Sequence, residues 1–201
     1  MGLLDRTVRI WNMTQRGEKG KIDQPQIPTC MSFSPDGKLL AVGAVMEGIR
    51  LYKVDALKDF VAIPETSGCF LEPLAFVPNS TCIAVPTFKK KQPKELWEPN
   101  MPAHRVRLWD YSRQKTVWES DLLQIPMAIS ASHDGRLVAA AVREPQPAIW
   151  IWSAKTGNVL KVFHGHEEGV TALAFSPDDT RLAGAGADAT LLIWDVAKLH
   201  K

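Results

Sequence analysis

Five short apolar runs in this chain end on an aromatic residue at a nearly constant interval, and that period constrains the fold more than any other feature. The aromatics are Trp11 in TVRIWN, Tyr52 in IRLYK, Trp109 in VRLWD, Trp152 in IWIWS and Trp194 in LLIWD, spaced by 41, 57, 43 and 42 residues. A second landmark, FSPDGKLLA from Phe33, recurs as FVPNSTCIA from Phe76, ASHDGRLVA from Ala131 and FSPDDTRLA from Phe175, at spacings of 43, 55 and 44. Both markers put the long interval in the same unit. A period of about 20 to 50 residues signals a repeat architecture, in which each unit buries its faces against its neighbours.

Within a unit the pattern is four short β-rich runs separated by turns: TCMSFS, then PDG, then KLLAVGAV, GIRLYKV and DFVAIP. At the break, proline presets φ, aspartate bonds to nearby backbone and glycine admits positive φ. Val, Ile, Leu and Ala on both faces of the runs predict small sheets covered on both sides. The expected fold class is all-β, a β-propeller of four-stranded antiparallel blades. Only VDALKDF and VAKLHK suggest a helix, each of a turn or two.

The stretch GHEEGVTALAFSPDDTRLAGAGADATLLIWD, residues 165–195, carries a Gly-His start, a Phe-Ser-Pro-Asp turn, an Asp-x-Thr segment and a Trp-Asp end. It resembles one repeat of the WD-repeat (G-beta-like) β-propeller family, and weaker copies extend over nearly all of the chain. The resemblance implies a hydrogen-bond network of His166, Asp188 and Trp194, with Gly184 standing where a hydroxyl belongs. The first segment keeps Asp5 and Trp11. Elsewhere Met46, Ala103 and Gln146 take the aspartate position, and QIP at 26–28 and 124–126 replaces Gly-His; those blades are expected to rely on apolar packing.

By this reading one propeller region fills residues 1–201: a partial blade at 5–24, blades at 27–64, 69–119 and 124–163, and a final blade at 165–196 lacking its outer strand. A self-contained ring of the family usually has seven blades, and seventeen strands would leave a long apolar sheet edge, an aggregation hazard. The expectation is a fragment of a longer protein, with a ring completed by a second copy or an unusually small closed ring as the alternatives.

Composition narrows the partner class. The net charge of +2 is too small to mark the whole chain for nucleic acid or a membrane surface. Cys30, Cys69 and Cys82 are odd in number and widely spaced, which fits reduced core thiols and a cytoplasmic location, with the nucleus as the alternative. The N-terminus lacks the apolar run of a secretory signal. Neither a Gly-x-Ser-x-Gly elbow, nor a phosphate-binding glycine loop, nor a Cys-x-x-Cys pair is present. No catalytic residue, cofactor or metal is therefore assigned. His164 and His166, with Glu167 or Glu168, have the residue types of a metal site, but the resemblance gives His166 a structural bond instead.

Function is expected on loops. The long unit owes its length to TFKKKQPKELWEPNMPAH, residues 87–104, inserted between its second and third strands. Lys89, Lys90, Lys91 and Lys94 suit an acidic partner, and Trp97 is an interface anchor by type. One blade later, REPQPA at 143–148 adds Arg143 and Glu144 on what the resemblance implies is the same face. Trp118 and Trp150 read as packing residues, and His133 as part of a turn capped by Asp134. The leading expectation is a non-catalytic scaffold that docks protein or peptide partners on this face. Polyanion binding through the lysines, or a sensor domain of a larger enzyme, are the rivals.

Overall fold

The computed structural model describes residues 5–66, 73–88, 104–122, 126–143 and 146–200. Lys89, Lys90, Lys91, Lys94, Trp97, Glu144 and Cys69 lie outside them. The described residues form seventeen strands and one short 3-10 helix, so the fold is all-β, of the incomplete propeller type. No helix among them is long and apolar enough to cross a membrane. The chain divides into two compact units, residues 1–72 and 73–201.

In the first unit β1 (Thr7–Asn12) pairs with β2 (Gly17–Asp23), and a four-stranded sheet follows in the order β3 (Pro28–Phe33), β4 (Leu39–Ala44), β5 (Gly48–Lys53), β6 (Lys58–Ala62). VDALKDF is therefore a turn running into β6, not a helix: Leu57 takes a left-handed φ of 50° and its amide closes the turn on the Lys53 carbonyl. Val8, Ile10, Leu40, Val42 and Tyr52 form the core between the two sheets.

The second unit holds three sheets. The first comprises β7 (Ala75–Val77), β8 (Cys82–Phe88), β9 (His104–Asp110) and β10 (Lys115–Leu122). The second comprises β11 (Pro126–Ala131), β12 (Leu137–Val142), β13 (Ala148–Ser153) and β14 (Val159–Phe163). The third has β15 (Val170–Phe175), β16 (Arg181–Gly186) and β17 (Leu191–Asp195), and VAKLHK supplies the 3-10 turn Ala197–His200.

Strand alternation explains how the sheets stack. Along β12 and β13, Val138, Ala140, Val142, Ala148 and Trp152 face the β7–β10 sheet, whereas Leu137, Ala139, Ala141, Ile149 and Ile151 face the β15–β17 sheet. A period of two places successive side chains on opposite faces, so a continuous apolar run is what a doubly covered strand requires. Burying each large aliphatic here contributes about 1.5–3 kcal/mol. Trp150 and Trp118 flank Trp152 in a stacked series, with ring centroids 6.2 Å apart in each pair.

Each pairing of a third with a fourth strand carries a bulge beside its aromatic: at Ile10/Trp11, Leu51/Tyr52, Thr116/Trp118 and Ile151/Trp152. An extra residue there bends the outer strand and raises the local twist. The repeat is thus visible in the backbone irregularities as well as in the strands.

Candidate functional site

The Gly-His repeat builds a dense polar knot at the end of the β15–β17 sheet. The His166 side chain is 1% exposed. Its Nδ1 lies 3.0 Å from an Asp188 carboxylate oxygen and 2.9 Å from the Thr190 hydroxyl, and its Nε2 lies 3.2 Å from the Gly184 carbonyl. Where the family pattern led us to expect a hydroxyl, a backbone carbonyl stands in. Asp188 also accepts from the Glu167 amide at 2.8 Å and the Thr190 amide at 3.0 Å. The Thr190 hydroxyl first, and these amides with it, hold the Asp188 carboxyl well below the usual carboxylate range. A Cβ on Gly186 would collide with Asp188 and His166, so AGAGAD reads as space reserved for the knot.

Trp194 contributes by packing: its ring meets His166 edge-on at 5.7 Å and stacks on Phe163 at 5.7 Å. At the first sheet Asp5 accepts from the Thr7 amide and hydroxyl at 3.1 and 2.7 Å, while Trp11 is 55% exposed. Trp11 instead borders a cleft of about 230 Å³ with Met31 and Phe33.

Side-chain hydrogen bonds also hold the blades for which apolar packing alone was expected. In the β3–β6 sheet the buried Thr66 hydroxyl accepts from the Ile49 amide and donates to the Ile63 carbonyl, both at 2.9 Å, and Gln24 donates to the Tyr52 hydroxyl at 2.9 Å. Buried backbone groups need partners whatever the repeat signature supplies, and nearby polar residues provide them. In the β7–β10 sheet Asp110 gathers Thr81, Ser112 and the Arg113 amide, and Trp152 of the next sheet donates its indole N–H to Ser120 at 2.9 Å.

The turns between first and second strands interlock across sheets, which the sequence reading did not foresee. Gly37, Gly135 and Asp179 occupy equivalent positions, with φ of 69°, 75° and 57°. Gly135 meets the Pro78 carbonyl so closely that a Cβ would clash. Asp179, a non-glycine residue in left-handed backbone, sends its carboxylate to the turn of the neighbouring sheet: Oδ1 accepts from the His133 amide at 2.8 Å, Oδ2 from the Asp134 amide at 2.7 Å, and the His133 ring lies 3.0 Å away. Asp134 caps its own turn through Ser132 and the Arg136 amide, and in addition meets His200 Nδ1 at 2.8 Å. The second aspartate of SPDD, standing where SPDG and SHDG have glycine, was the available signal.

Around the 87–104 insertion, β8 ends at Phe88 opposite His104, the first residue of β9. Burial pushes the His104 imidazole below its ordinary range. Beside it Arg105 and Arg107 bond to Glu119, and Arg105 to Asp121, so these cations are engaged by their own sheet. Arg143 lies across Gly169 at the start of β15. Glu144, Lys89, Lys90, Lys91, Lys94 and Trp97, the other expected partner contacts, lie outside the described residues. His164 approaches the Pro147 carbonyl at 3.3 Å while His166 is committed to Asp188, so the two imidazoles take different partners.

Comparison with known proteins agrees with this architecture. The model of the WD domain, G-beta repeat, matches residues 19–46 and 157–195. These two segments match the WD-repeat family, and the curated relatives that the chain resembles are WD-repeat proteins. The chain is similar to Periodic tryptophan protein 2 of Arabidopsis thaliana, 27% identical over 83% of the chain and 17% of the relative. WD repeat-containing protein 1 of Gallus gallus is 27% identical over 96% of the chain and 29% of its own length. WD repeat and SOCS box-containing protein 1 of Xenopus tropicalis is 28% identical over 60% of the chain and 29% of its own. The chain thus spans less than a third of each of these relatives.

Proposed function

We propose that this WD-repeat chain is a non-catalytic scaffold that docks protein or peptide partners on its exposed connections. The observation that carries the reading is the division between clasped turns and one long connection. The turns joining first and second strands are tied across sheets by Gly135 and Asp179, whereas the connection from β8 to β9 extends from Phe88 to His104 between two paired strand ends. A long connection on a rigid sheet is where sequence can vary without disturbing the core. The similarity to WD-repeat relatives supports the same general role.

The finer reading places partner contact on Lys89, Lys90, Lys91, Lys94 and Trp97, with Arg143 and Glu144 contributing from the next blade. Deleting residues 89–102 tests it: partners captured by the intact chain are lost while the far-UV spectrum and thermal midpoint hold. Equal recovery of partners would remove the insertion as the docking site. Exchange of Lys89, Lys90 and Lys91 for glutamate is expected to weaken partner capture, and an unchanged affinity for polyanions in low salt would sink the rival reading of polyanion binding.

A further inference from the structure

A cleft of about 410 Å³ opens in the second unit among the turn between β11 and β12, the turn between β13 and β14, and the 3-10 turn after β17. Arg136, Lys155 and His200 supply its polar wall, and Leu137, Leu160 and Leu199 its apolar one. We propose that this cleft docks a short acidic peptide, taking one carboxylate beside Lys155 and one aliphatic side chain against the leucines. The proposal rests on the scaffold reading and adds to it a second site and the chemistry of its partner.

Charge bookkeeping favours an anion. Arg136 donates to the His200 carbonyl at 2.7 Å and stays 3.8 Å from Asp134, which fixes its guanidinium in the wall with donors to spare. Lys155 is exposed and makes no ion pair among the described residues. Asp134, the acidic group at this end, is already engaged by Ser132, Arg136 and His200. Lys155 is thus the cation left over.

The pairing of a cation with an apolar wall indicates a peptide in particular, since a peptide presents both a carboxylate and an aliphatic side chain whereas inorganic phosphate has no apolar group. His200 is held in the wall through its Nδ1, 2.8 Å from Asp134, with its Nε2 buried. The leucines give the other half of the recognition: Leu137 is 1% exposed at the floor, and Leu160 is 39% exposed beside the similarly open Val159. Two cations are too few for a nucleic-acid backbone, whose binders neutralise several phosphates each. The clasp from Asp179 to the His133 and Asp134 amides holds the 132–136 turn before any ligand arrives, which lowers the ordering cost of binding.

The test uses the full chain and two fluorescein-labelled hexapeptides, one alternating Glu and Leu, the other alternating Gln and Leu, read by anisotropy at low salt and at about 0.5 M salt. The Glu-Leu peptide is expected to bind about tenfold tighter than its Gln counterpart, and to lose that margin at high salt or in Lys155→Glu. Leu160→Ala is expected to weaken both peptides by about threefold or more. Both substitutions are at exposed positions, and unchanged thermal midpoints verify the fold. Equal affinity for the two peptides, an unaltered Lys155→Glu variant, absence of Glu-Leu binding to the intact chain, or full competition by millimolar inorganic phosphate would each overturn the proposal. Such a failure alongside partner capture that depends on residues 89–102 would leave the scaffold reading standing. Peptide binding without that dependence would separate the two the other way.

Discussion

Replacing Asp179 probes whether the turns are tied from sheet to sheet by one carboxylate. In Asp179→Gly the backbone relaxes, because glycine takes a φ of 57° without the steric cost of about 1–2 kcal/mol that a Cβ brings in left-handed backbone. The same change removes the acceptor of the His133 and Asp134 amides, held at 2.8 and 2.7 Å, and of the His133 ring. Hydrogen bonds to a charged group contribute about 1.5–3 kcal/mol each, and partial replacement by water brings the combined loss here to roughly 2–4 kcal/mol. After the relief of strain, Asp179→Gly is expected to cost about 1–3 kcal/mol. Asp179→Ala loses the same bonds and keeps the unfavourable φ that the parent already bears, for about 2–4 kcal/mol. Asp179→Asn retains one acceptor and costs least, about 1–2 kcal/mol. Urea unfolding followed by tryptophan fluorescence orders the three through their midpoints, and each kcal/mol appears as about 2–4 °C in a thermal scan of a chain this size. A glycine variant as stable as the parent would refute the clasp. An alanine variant no worse than glycine would refute the strain argument.

Three further outcomes follow from the same geometry. Gly37→Ala and Gly135→Ala share a positive φ, but only Gly135 meets the Pro78 carbonyl, so the second is expected to cost about 1–3 kcal/mol beyond the first, measured by denaturant midpoint. Ser120→Ala strips the acceptor from the buried Trp152 indole and is expected to cost about 1–3 kcal/mol with a change in tryptophan emission; an unchanged midpoint would show the bond to be neutral. Ser176 and the Thr180 amide hold Asp178 down to about 2, and Asp188 is lowered likewise. Because these folded-state values lie below the unfolded ones, their stabilisation is complete above roughly pH 4 and is lost as pH falls toward 2. The thermal midpoint should therefore drop over that window, and less so in Asp178→Asn; a flat profile would contradict the assignment.

Much of the blade was legible because its cause is local. Short apolar runs, turn chemistry and the aromatic period act over a few residues each, and they place β3–β6 and β11–β14 without reference to distant chain. The roles of individual aromatics were not legible in this way. Trp11 and Trp152 close the same pattern, yet Trp152 is fully buried beneath Trp118 and Trp150 while Trp11 is 55% exposed, since burial depends on what covers the strand. The Gly-His motif pointed to His166 and Asp188 through the resemblance, but not to the Gly184 carbonyl as the second partner, because a carbonyl has no letter of its own in the sequence.

By itself the sequence determined the repeat, its four-stranded unit and the glycine-dependent turns, all governed by side-chain period and local φ preference. Tertiary structure decided the rest: that Asp179 reaches the amides 45 and 46 residues earlier, that His200 meets Asp134 across 66 residues, and that leucines from separate elements share one cleft with Lys155. Those contacts join residues whose local contexts carry no trace of each other, and only the stacking of one sheet on the next brings them within reach.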